Sequence, residues 1–119
     1  MIYEGTRLEV ADNSGAKVVQ CIRILGSAKF ASIGQEIVVS IKQAIPKSKI
    51  AAGEVCRAVV VRTRKQWKRK DGTVLQFYNN AVVLLDKQKN NIATRIFGAV
   101  PRELKATYSK IVSLASEVL

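Results

Sequence analysis

The segment Glu36-Ile37-Val38-Val39-Ser40-Ile41-Lys42-Gln43 has the alternation of a β-strand. Successive strand residues point to opposite faces, so Ile37, Val39 and Ile41 share one side while Ser40 and Lys42 take the other. Lys17 to Leu25 reads as a second strand, with Val18, Ile22 and Ile24 in phase and Arg23 opposed. Val55–Thr63, Val74–Tyr78 and Ala81–Asp86 add three more, rich in Val, Leu and aromatics, and Thr6–Ala11 a short one. Asp12-Asn13-Ser14-Gly15 and Asp71-Gly72 supply turn chemistry, the latter a hairpin signal between apolar strands. Only the end reads helical: Pro101 suits a first turn before Arg102-Glu103-Leu104-Lys105, and a second short helix runs from Tyr108 to about Leu114.

Short strands at close spacing imply an all-β barrel or sandwich. Closure into a small barrel is expected, because an open sheet this size would leave hydrophobic edges exposed. Its interior is predicted to include Val18, Ile22, Ile37, Val39, Ile41, Val59, Val61 and Val83. The 119 residues suffice for one domain with a core and are too few for two comfortable ones. Hydrophobic content of 48% argues against wholesale disorder.

Catalysis and metal binding find few groups. There is no histidine, the nine carboxylates are scattered, and the glycines are single, with no phosphate-cradling loop. Cys21 and Cys56 lie 35 positions apart, each within an apolar strand pattern. They read as buried thiols in a reducing compartment, with neither zinc nor a disulfide expected. No enzyme activity, cofactor or small-molecule substrate is expected. Met1-Ile2-Tyr3-Glu4-Gly5 shows no signal or Arg/Ser-rich transit pattern.

Charge points to a partner. Seven of the sixteen residues from Val55 to Lys70 are Arg or Lys, and none is acidic. The window Lys42–Lys70 holds ten basic residues against Glu54, so it carries +9 of the formal +11. Charge this dense repels itself unless a polyanion or solvent neutralises it. The basic residues lie among strand-like sequence, and no apolar run approaches the roughly 20 residues of a spanning helix. Nucleic acid is therefore the expected partner, not a membrane. A basic hairpin over about 62–73, continuous with an apolar strand, would hold Arg62, Arg64, Lys65, Lys68, Arg69 and Lys70 against phosphate. Trp67 within it either stacks on an unpaired base or covers the barrel end. Lys17, Arg23, Lys47 and Lys49 would extend the footprint.

These residues carry a resemblance. Ala58-Val59-Val60-Val61, nine residues, Asp71-Gly72, four residues, Phe77, then Asn80 and Val83-Leu84 resembles the signature of the universal large-subunit ribosomal protein L-fourteen family. Ala11–Ala16, Cys21–Gly26, Ala44–Lys47, Thr94–Gly98, Arg102–Leu104 and Leu114–Leu119 extend the likeness over nearly the whole chain. The bacterial and organellar branch is the most similar.

The resemblance implies a small five-stranded β-barrel with a projecting basic β-hairpin and short C-terminal helices over about 101–114. It implies a structural constituent of the large ribosomal subunit that binds large-subunit rRNA, packs against neighbouring large-subunit proteins and helps form the bridge to small-subunit rRNA. Thr94, Arg95 and Lys110 become candidates for the subunit interface, meeting small-subunit RNA or a subunit-joining silencing factor. Ile96 and Phe97 would either face protein neighbours or belong to the core. Two departures stand out. The stretch Ser27–Ile33 is short and holds only Lys29 as a base, and Ser116 replaces a proline usual in the family. With the Lys/Asn-rich Lys87–Asn91, they favour a mitochondrial copy over a plastid or bacterial cytoplasmic one, within a ribosome of bacterial type. The rival reading is a free-standing oligonucleotide-binding β-barrel, which would need several exposed aromatics on one sheet face.

Overall fold

The computed structural model describes residues 2–26, 29–48 and 50–119. In chain order the strands are β1 (Arg7–Val10), β2 (Ala16–Ile24), β3 (Glu36–Ala44), β4 (Val55–Arg62), β5 (Trp67–Lys68), β6 (Val74–Leu75), β7 (Ala81–Leu85), β8 (Ile96–Val100) and β9 (Ala115–Val118). A 3-10 helix (Arg102–Ala106) and helix α1 (Ser109–Leu114) separate the last two strands. Five strands close a barrel in the order β1-β2-β3-β4-β7, as expected. Its neighbours run antiparallel until β1 and β7 meet in parallel to shut the ring. Closure removes the hydrophobic edges that an open sheet would present.

Alternation places Ile37, Val39 and Ile41 inside, with Leu8, Val19, Cys21, Ala58, Val60, Val82 and Leu84. The predicted phase of β2 needs correction. Val19 and Cys21 point inward, while Val18 is half-buried and Ile22 is 44% exposed. The β2–β3 register shifts between Ala16 and Val18, Val18 and Val19, and Cys21 and Arg23. Each irregularity resets which face a side chain takes, and no composition marks where it falls.

A second correction concerns Val59, Val61 and Val83. They are buried, but on the outer face of β4 and β7, where Ile96, Val100, Leu104 and Ile111 cover them. A strand buried on both faces reads as a continuous apolar run, which hides its phase. The covering layer is the C-terminal segment, whose strands β8 and β9 pair in parallel. Tyr108 ties this layer to the barrel by donating a 2.8 Å hydrogen bond from its hydroxyl to Glu36 Oε1. At the far end, a Cβ on Gly15 would fall 2.3 Å from Ser48 Cβ, so only glycine allows that loop crossing.

Candidate nucleic-acid interface

The hairpin leaves the barrel from Arg62 and returns at Ala81. Its strands pair Trp67 with Leu75 and Lys68 with Val74. Asp71 shapes the tip: its Oδ1 accepts hydrogen bonds from Thr73 Oγ1 (2.6 Å) and Thr73 N (3.0 Å). Those two bonds hold the exposed Asp71 carboxyl below its ordinary pKa, with nearby Arg102 and Arg69 adding to the effect. Strand alternation then sorts the basic run. Trp67 and Arg69 turn toward the body, while Lys68 and Lys70 face solvent.

The hairpin's inner side is pinned along the 3-10 helix. Arg69 Nε lies 2.8 Å from Glu103 Oε2, an ion pair by distance though not aligned as a hydrogen bond. The guanidinium also donates from Nη2 to the Leu119 carbonyl. Arg102 Nη2 pairs with Asp71 Oδ2 at 3.3 Å. Trp67, whose role the residues leave open, packs half-buried against the second core with Phe77. Four cations of the run, Arg64, Lys65, Lys68 and Lys70, are left exposed.

Arg62 departs from the expectation of a phosphate-facing side chain. It is 9% exposed, and its Nη1 donates to the carbonyls of Phe97 and Ala99, each at 3.1 Å. Burial lowers its pKa from the ordinary value. A Cβ at Gly98, where φ is +79°, would stand 2.1 Å from Arg62 Nη1. Gly98 therefore serves two needs: a left-handed backbone and room for the guanidinium. Donors that an arginine could offer phosphate are taken up here by the protein's own β8.

Away from the hairpin, Lys17 and Arg23 are exposed at opposite ends of β2. Lys47 is exposed at φ +64° and lines one groove with Asn13, Ser48 and Thr94, so it belongs beside the predicted subunit-interface residues. Lys49 lies outside the described residues. Thr94 and Arg95 are exposed but firmly held. Asn13 Oδ1 accepts from the backbone N–H groups of both, each at 3.0 Å, and Asn13 Nδ2 donates to Thr94 Oγ1 at 3.2 Å. The residues read as a self-capping turn, yet Asn13 reaches 81 positions along the chain. Local sequence carries no signal of so distant a partner. Lys110 is exposed on α1, whose Ile111 packs into the same core as Ile96. Of the two residues left open, Ile96 is core and Phe97 is 51% exposed.

The arrangement offers charge and shape. Among the described residues no group of His, Cys, Asp and Glu could hold a metal, and no helix is long and apolar enough to cross a membrane. Cys21 is buried and Cys56 half-buried, both unpaired; burial chiefly pushes the Cys56 thiol up to about 11. Asp12, 5% exposed, has its pKa raised by burial. Hydrogen bonds from Ser14 and from Leu84 N oppose that shift and fasten the β1–β2 turn to β7. A family model described as ribosomal protein L14p/L23e matches residues 1–119, the whole chain.

Proposed function

The chain belongs to the ribosomal protein L14p/L23e family, and we propose that its exposed cations clamp large-subunit rRNA while a separate face meets the small subunit. Membership makes it a structural protein of the large ribosomal subunit. The observation that carries the proposal is the sorting within the hairpin. Arg62 and Arg69 are used by the fold, and Arg64, Lys65, Lys68 and Lys70 are presented outward together. Adjacent exposed cations with no acid among them neutralise a phosphate backbone, each contact releasing counterions. Lys17 and Arg23, both exposed on β2, extend the footprint over the barrel.

Thr94, Arg95 and Lys110, with Lys47 beside Thr94, form the joining face. The Asn13 clamp supports this reading, since it holds the Thr94–Arg95 backbone rigid and leaves the Arg95 side chain at the surface. An arginine so placed grips small-subunit phosphate, or an acidic silencing factor that blocks joining, at two points. Neighbouring large-subunit proteins fit the exposed Phe97. The Lys/Asn-rich tip Lys87–Asn91 is the compositional support for a mitochondrial ribosome of bacterial type.

Tagged variants sedimented from a lysate test both parts. Changing Arg64, Lys65, Lys68 and Lys70 together to Gln should shed the protein from salt-washed large subunits. Arg95→Glu should stay in the large subunit and weaken subunit joining, most visibly at low magnesium. Retention of the fourfold variant equal to wild type contradicts the rRNA clamp. Loss of Arg95→Glu from the large subunit contradicts the joining face.

A further inference from the structure

The hairpin's aromatics divide as its cations do. Trp67 and Phe77 turn to the second core, whereas Tyr78, one residue further, is 87% exposed. Its surroundings are fixed. Asn80 Oδ1 accepts from Arg64 N at 2.9 Å, Gln76 Nε2 donates to the Arg64 carbonyl at 3.2 Å, and Glu9 N donates to the Asn80 carbonyl at 3.1 Å. The ring therefore stands in water on a braced loop. Tyr78 lines a groove with Arg7, Glu9, Arg64, Asn79 and Asn80. The acid of this groove, Glu9, accepts a hydrogen bond from Asn79 Nδ2. An exposed ring that shares a groove with two arginines has the chemistry of a nucleotide site: a π-face for the base and cations for its phosphates.

We infer that Tyr78, Arg7 and Arg64 form a site for an unpaired nucleobase, which stacks on the phenol ring while its flanking phosphates meet the two arginines. The inference rests on the rRNA reading above and adds a preference that phosphate contacts cannot supply. Backbone neutralisation treats duplex and single strand alike in kind, whereas stacking requires a base already out of its helix. An apolar protein surface fits the groove less well, because docking there would desolvate both guanidinium groups.

Binding of a short single-stranded oligoadenylate and of a blunt RNA duplex of equal phosphate count tests this by fluorescence anisotropy. Tyr78→Ala should weaken oligoadenylate binding about 5- to 150-fold, the range expected for loss of one base–aromatic stack. Tyr78→Phe, which keeps the ring, should bind as wild type does. Neither substitution should alter duplex affinity, the salt slope or the unfolding midpoint, since the side chain is exposed. Equal oligoadenylate affinity for wild type and Tyr78→Ala overturns the stacking site alone, as does a wild type that binds only the duplex. A wild-type protein that binds neither probe overturns the rRNA reading and the site with it.

Discussion

Ile37 and Val39 sit at 0% exposure in an aliphatic core held by strand ladders, whereas the seam between β4 and β8 is fastened by a charged side chain, Arg62. Both regions are buried, yet they tolerate change differently. The barrel interior depends on volume and can repack around a similar side chain. The seam depends on geometry: one guanidinium, two carbonyls and a glycine that leaves room for them. The same contrast divides the basic run. A buried arginine hydrogen-bonded to backbone carbonyls is part of the scaffold, and its exposed neighbours are what an RNA can reach.

The largest effect should come from the barrel. Ile37→Ala should lower global stability by about 2–5 kcal/mol, read as a reduced urea midpoint. Arg62→Met should cost about 2–3 kcal/mol by leaving the Phe97 and Ala99 carbonyls without their donor. Its amide exchange should rise first in β8 and β9. If the barrel strands open in step with β8, the seam is not a separately fastened layer.

Acid titration should separate the regions by sign. Asp12, at the barrel end, has a raised folded pKa. Its contribution is fully present below the unfolded carboxylate value and is lost as pH rises through the folded one. Asp71, at the hairpin tip, has a lowered folded pKa. Its contribution is present above the unfolded value and is lost as pH falls through the folded one. Melting temperatures measured against Asp12→Asn and Asp71→Asn should therefore diverge in opposite directions across the acid range. Parallel trends would refute the assignment.

Thiol reactivity gives a smaller, local contrast. With its pKa near 11, Cys56 should be about one part in a thousand thiolate at pH 8 and should alkylate slowly, accelerating as pH rises. Cys21, sealed in the barrel, should react only on global unfolding. Mass spectrometry resolves the two sites, and prompt labelling of Cys21 in the native protein would contradict its placement. Smallest of all, Lys68→Gln with Lys70→Gln should change stability by less than about 0.5 kcal/mol.

The barrel was largely legible because alternation is a local signal. The expected strand Glu36–Gln43 is found as Glu36–Ala44, and Val55–Thr63 as Val55–Arg62. Where the signal was absent, the reading failed for a physical reason. Bulges turned Ile22 outward, two-sided burial hid the phase of Val59, and strands β8 and β9 are too short and mixed to announce themselves. The C-terminal helices were expected, though the first is 3-10. In the basic run, charge density was visible but side-chain direction was not. Nothing in the string distinguishes Arg62, turned inward across Gly98, from Arg64, turned outward two positions later. Asn13 escaped for the same reason, since its significance depends on a distant partner, and nothing in the string separates the exposed Tyr78 from Phe77, which packs on the core.

The division of the hairpin's charge is tested most directly by the salt dependence of binding to purified large-subunit rRNA. Replacing Arg64, Lys65, Lys68 and Lys70 together with Gln should reduce the log–log slope by roughly 0.7 to 0.9 per contact removed, about 3 in all. Arg69→Gln, which removes a cation paired with Glu103, should leave the slope unchanged while loosening the hairpin's attachment to the 3-10 helix. An unchanged slope in the fourfold variant, or a fall of about one contact in Arg69→Gln, would contradict the division.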